Sequence, residues 1–185
     1  MVSYILHNPE LLQALLEEIQ PAFAGNATIP DCHYLLEKCP RLNAAWDETI
    51  RMSAFSASVR FVTEDTVIGG KILRKCARLM IPYRQLHFDE EVFGADIHNF
   101  KAARFLEDKS ITRGGSWRPF GGGTTQCPGR FVAKQAVISF VAMLLRRFNI
   151  KVDGPQPFPE GQLGVPVLGI MSNKSELKVH ITPRI

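Results

Sequence analysis

The tightest constraint on the fold is a join in the sequence. PFGGGTTQCPGR, residues 119 to 130, leads directly into RFVAKQAVISFVAMLLRRF, residues 130 to 148. The second stretch lacks glycine and proline and is apolar on most faces, which predicts a buried helix. Arg130, Lys134 and Gln135 interrupt it too early for a membrane span. The first stretch is its opposite: Gly121, Gly122 and Gly123 permit positive φ and let backbone come close to a flat ligand. Cys127 sits where the two meet. The positive end of the helix dipole favours its thiolate. Pro128 has no N–H, so the amides left for the sulfur are the following ones, such as that of Gly129.

Cys32, Cys39, Cys76 and Cys127 form no C-x-x-C pair, and no histidine pair has finger spacing, so a structural zinc site is not expected. The N-terminus lacks a basic start and carries charge by Glu10, so it does not read as a secretory signal. The cysteines are therefore expected as reduced thiols, free to bind a metal. A soft metal suits a thiolate, and iron with an open position needs its protein ligand from one side. Taken alone, the stretch also reads as a glycine-rich turn around an inert, buried cysteine. A phosphate loop fails, because no lysine followed by serine or threonine comes at the required spacing.

Asn8-Pro9-Glu10 is a helix start, followed by Leu11, Leu12, Leu15, Leu16 and Ile19 at helical spacing and ended by Pro21. Residues 21 to 34 read as a loop with room for a short helix. Pro40 opens a second helix running to about Ser53. SVRFV, TVIGG and RLMIP, between Ser58 and Pro82, read as short strands. Residues 83 to 118 read as irregular, with one helical turn near Phe100; a loop that long inside a domain is usually functional. VLGIM and LKVHI, flanking Ser172 to Ser175, read as a closing hairpin. The class is mainly α with small β-sheets, an α+β fold. With 45% hydrophobic and 22% charged residues the composition is that of an ordinary globular domain. The net charge of +4 is scattered rather than blocked, which gives no argument for nucleic acid.

Phe120, Gly123, Cys127 and Gly129 give F-x-x-G-x-x-x-C-x-G. This resembles the haem-ligand signature of the cytochromes P-450, the haem-thiolate monooxygenases. The resemblance implies that Cys127 is the axial ligand of a haem b iron and that its electron donation favours O–O cleavage. It assigns Phe120, Gly121, Gly123 and Gly129 to the cofactor loop. Thr125 stands where arginine or histidine usually meets a haem propionate, and offers a hydroxyl without charge. DETIRM resembles the family's E-x-x-R motif through Glu48 and Arg51, which share a helix face. FKAARF supplies Arg104 as third member, with Ala102 and Ala103 replacing the usual proline and acid. The three would form a buried structural triad. Arg60 would reach a propionate. Ala54, Phe55, Ala57 and Leu168 would line the cavity of a lipophilic substrate. LHFDEEVFG resembles the segment before the family's meander, with His87 a structural hydrogen-bonding residue and not an iron ligand. Cys76 stands where a turn glycine is usual. Arg130 and Lys134 read as solvated charges, with a basic docking face for an acidic electron donor as the alternative.

The resemblance covers residues 1 to 185 but only the C-terminal part of that fold: the proximal haem wall, the meander, the ligand loop, a buried helix and a β-hairpin. The distal helix with its acid–threonine pair, the N-terminal half and the membrane anchor are expected to be absent. Weak haem binding by the isolated chain, or none, follows. By family, electrons come from an NADPH-dependent reductase and the whole enzyme sits on the endoplasmic reticulum; the chain itself reads as soluble and cytosol-facing. Two alternatives stay open: a non-catalytic remnant or interaction fragment, and a haem-thiolate isomerase or dehydratase needing no external O2. The GGGTTQCPGR form resembles fungal relatives near the prostacyclin-synthase-like branch.

Overall fold

The computed structural model describes residues 1 to 185 except Pro166, Leu168 and Ile185, and excludes the side chains of Asn26 and Thr125. Helix α4, Pro40–Ser53, is the keel. Proline occupies its first turn, where the missing N–H costs nothing. Leu42, Trp46 and Ile50 recur every four residues along one face. They pack into a core with Leu15 and Ile19 of α2 (Pro9–Ile19), Leu35 of α3 (Cys32–Lys38), and Ile138, Val141 and Leu145 of α8 (Arg130–Arg147). Ala44 and Ala45 serve a second core with Phe93, Ile97, Phe105 and Ile111. The small alanines let the segment 93–111 approach the helix closely.

Local signals explain several boundaries. The Asn8 side chain accepts from the Leu11 amide at 3.0 Å and caps α2. After the short α1 (Val2–Leu6) and α2, a 3₁₀ segment kinked at Gly25 leads to α3. Asp31 caps α3 by accepting from the Tyr34 amide at 3.1 Å. The helix begins at the end of the stretch read as a loop with room for a short helix and runs four residues past it, from the Asp31 cap.

The strands form antiparallel pairs. β1 (Ala57–Phe61) pairs with β4 (Arg78–Pro82), Val59 opposite Met80. β2 (Thr66–Ile68) and β3 (Lys71–Leu73) are joined by Gly69-Gly70, both at positive φ, the backbone a two-residue hairpin turn demands. Cys76 takes φ +68, the left-handed conformation usually left to glycine. β5 (Phe148–Val152) pairs with β6 (Val179–Pro183).

The closing segment departs from expectation in its partners. Val179, His180 and Ile181 of LKVHI pair with Val152, Lys151 and Ile150. Ile170 instead bridges Ala54, and Gly161 bridges Asn173. A turn signal at residues 172 to 175 could not reveal that both flanks had stronger partners elsewhere. Residues 83 to 118 hold more helix than expected: α5 (Tyr83–His87), α6 (Glu90–Phe93), α7 (Arg104–Glu107) and a 3₁₀ turn at Ile111–Arg113. Helix α8 is buried on one face only. Phe131, Val132 and Phe140 are 69%, 70% and 56% exposed, Phe131 at the helix start in line with the buried face. Among the described residues no helix is long and apolar enough to cross a membrane.

Candidate functional site

Glu48, Arg51 and Arg104 meet inside the molecule. Glu48 and Arg51 have no exposed surface and Arg104 very little. Glu48 Oε2 accepts from Arg51 Nε at 2.7 Å, and Oε1 accepts from Arg51 Nη2 at 2.9 Å and from Arg104 Nε at 3.2 Å. Oε1 also takes the Lys101 amide at 2.9 Å. The arginines spend their other donors on carbonyls of the irregular segment. Arg51 reaches His87 at 2.9 Å and Ile97 at 2.8 Å. Arg104 reaches the Phe93 carbonyl and, at 3.1 Å, Asp96 Oδ1. A buried charge cluster is tolerable only when its donors are used in this way. Its effect is to pin residues 87 to 104, which have little local propensity to order, against α4.

Beyond that segment the chain enters the cysteine loop. Gly121 and Gly123 take φ +78 and +71, whereas Gly122 is extended. The Cys127 amide donates to the Phe120 carbonyl at 3.0 Å, closing the loop on itself. The Phe120 ring stacks toward Trp46 of α4 at 6.5 Å between centroids. Arg130, in the first turn of α8, bonds the Cys127 carbonyl at 2.9 Å. Cys127 itself is exposed. Its sulfur lies against the start of α8: a Cβ on Gly129 would stand 3.7 Å from it. Among the described residues no amide donates to that sulfur, so the contact with Gly129 is one of proximity.

The glycines differ in what they do. An L-residue in the left-handed region costs about 1–2 kcal/mol. Gly121→Ala is therefore expected to cost about that much, since its φ is left-handed while its new Cβ would meet the Tyr83 ring only at 3.6 Å. Gly122→Ala would meet the Arg118 side chain at 3.2 Å, which can swing away, so a loss under about 0.5 kcal/mol is expected. Urea denaturation of the two variants checks the order.

Arg60 stands half-buried on β1, with a hydrogen bond to the Val59 carbonyl. Ala54 has no accessible surface, Phe55 is half-buried beneath the Arg84 guanidinium, and Ala57 is exposed. Leu168 and the Thr125 side chain lie outside the described residues. The neighbours of Leu168 do come to this segment: the Phe55 amide donates to Gly169 at 2.7 Å and Met171 to Ser53 at 2.8 Å. Lys134 pairs with Asp47 at 3.9 Å and Arg130 lies over the Phe131 ring at 4.2 Å. Burial pushes the Asp47 carboxyl up to about 6, against the pull of Lys134. Asp47 escaped the sequence reading, since nothing in DETIRM distinguishes it from a solvated acid.

The cytochrome P-450 family profile matches residues 1–179. This chain belongs to the cytochrome P-450 family. A self-sufficient cytochrome P-450 monooxygenase of Oidiodendron maius is 31% identical over 156 residues, 82% of this chain and 14% of that one. A cytochrome P-450 monooxygenase of Penicillium oxalicum is 38% identical over 122 residues, 62% of this chain and 25% of its own. A bifunctional cytochrome P-450/NADPH–P-450 reductase of Gibberella moniliformis is 32% identical over 153 residues, 81% of this chain and 14% of its own. This cytochrome P-450 chain thus spans a quarter or less of the length of these relatives.

Proposed function

We propose that this chain forms the proximal haem wall of a haem-thiolate monooxygenase, with Cys127 as the axial iron ligand. The observation that carries the reading is an exposed thiol at the start of a long helix, on a left-handed glycine loop, tied to a scaffold that a buried ion cluster holds rigid. The donor set fits. Among the described residues no three His, Cys, Asp or Glu side chains gather around a point. A metal held by this lone thiolate must bring its remaining ligands with it, as a porphyrin does.

In this reading Phe120, Gly121, Gly123 and Gly129 admit the macrocycle edge, and Arg60 with Thr125 serves the propionates. When bound, the haem supplies reductive activation of dioxygen. Cys127 donates electron density, Arg130 fixes its carbonyl, and Glu48, Arg51 and Arg104 keep the scaffold from yielding. Phe55 and Ala57 offer apolar surface to a lipophilic substrate, whereas Ala54 has no accessible surface of its own. Electrons come from an NADPH-dependent reductase, a reading supported by the relative that fuses the two activities.

Ligation is tested by titrating the chain with haem to saturation and recording the ferrous carbon-monoxide difference spectrum. The band of thiolate ligation is expected in the wild type and in Cys76→Ser, which removes the other exposed thiol, and is lost in Cys127→Ser. Survival of the band in Cys127→Ser, or its absence from saturated wild type, overturns the assignment. Incorporation of one atom of labelled O2 into a lipophilic substrate tests the oxygenase reading.

A further inference from the structure

We propose that His87 is the positioning residue that fastens the entry of the cysteine loop to the buried ion cluster. The inference deepens the haem-ligand reading and takes its purpose from it, although its geometry stands alone.

Arg51 Nη1 donates to the His87 carbonyl at 2.9 Å, so the cluster grips the backbone of this residue. The His87 ring then accepts at Nε2 from the Arg118 amide, also at 2.9 Å. The Arg118 carbonyl accepts from Gly121 at 3.1 Å, and the Phe120 carbonyl from Cys127 at 3.0 Å. One residue thus joins α4 to the strand of chain that carries the thiol. Arg130 holds the loop exit through the Cys127 carbonyl, and His87 holds the entry.

The ring chemistry explains why a histidine does this. An acceptor at Nε2 requires a neutral imidazole with its proton on Nδ1. That Nδ1 is buried and has no hydrogen-bond partner among the described residues. A buried orphan donor is costly. A phenylalanine would fill the same fully buried space without that cost, so the acceptor is what the polar ring contributes. Burial, Arg51 and Arg84 together push the ring down to about 4, keeping it neutral around pH 7.

The test uses the whole 185-residue chain, labelled with 15N. In the wild type the His87 ring shifts are expected to report the Nδ1–H tautomer; an Nε2–H tautomer overturns the proposal. His87→Phe is expected to speed hydrogen exchange at the Arg118 amide at least tenfold relative to the amides of α4. His87→Gln, which can set a carbonyl oxygen near the place of Nε2, is expected to restore most of the protection. Unchanged Arg118 exchange in folded His87→Phe, or no rescue by His87→Gln, sinks it. Should His87→Phe not fold, the wild-type tautomer and the protection in His87→Gln decide. Loss of Cys127 ligation in the spectral titration counts against the haem reading only, because these exchange rates are read without haem.

Discussion

Glu48→Gln is expected to lower stability by about 3–5 kcal/mol, the usual consequence of stripping one partner from a buried ion cluster. For a chain of this size that corresponds to a fall of roughly 6–20 °C in Tm. The geometry explains the size. Three donors converge on Oε1 and one on Oε2, and neither Glu48 nor Arg51 has accessible surface through which to turn to water instead. Glutamine keeps the shape but places an N–H2 against a guanidinium or an amide. Arg51 is then left without its counter-ion, and Arg104 keeps only Asp96. Arg104→Met should cost less: the Phe93 carbonyl loses its donor, but Glu48 stays paired with Arg51 and no buried charge is left alone. The two changes should combine non-additively, as expected for residues in one network. Thermal melts of the single and double variants check this, and a loss under about 1 kcal/mol for Glu48→Gln would show the cluster to be peripheral.

The second large effect is a pair of opposed proton linkages. His87 is held down to about 4 by burial, Arg51 and Arg84, from an ordinary 6.5. The unfolded chain binds this proton more readily, so the His87 contribution is complete above pH 6.5 and is lost as the pH falls toward 4. Asp47 is the reverse: burial raises it from 3.8 to about 6 despite Lys134. Its contribution is intact below pH 3.8 and is lost as the pH rises through 6. Each shift is worth on the order of 3 kcal/mol. Between pH 4 and 6 the two slopes run against each other and flatten the wild-type profile. Asp47→Asn removes one of them. The variant is expected to match wild type below pH 4 and to exceed it by roughly 2–3 kcal/mol at pH 7. Urea denaturation across that range reads the difference directly; equal stabilities at pH 7 would show that Asp47 is hydrated in the folded chain.

What was legible in the sequence follows from how local each signal is. Helix α4 could be read to its ends from Pro40 and the apolar spacing, and the pairing of Glu48 with Arg51 needs only one turn of that helix. The cysteine loop announced itself through glycines whose φ values a side chain resists. The short helices between Tyr83 and Glu107 were illegible because distant guanidinium groups hold them: Arg51 on the end of α5, Arg104 on the end of α6. The partners of β6 and of Ile170 were hidden for the same reason, since pairing is decided across the fold. Helix α8 misled by uniformity. Apolar residues around its whole girth say that it can be covered on any side, and only α2, α3 and α4 decide which side is. His87 could be read as a hydrogen-bonding residue, but Arg118 as its partner could not.

Helix α4 faces two hydrophobic interiors at once and carries the charged cluster between them. Such a helix has almost no idle surface on which substitutions can accumulate unnoticed. Sequence divergence around this scaffold is thereby channelled outward, into the β2–β3 ribbon and the loops near it, where a changed residue disturbs neither interior.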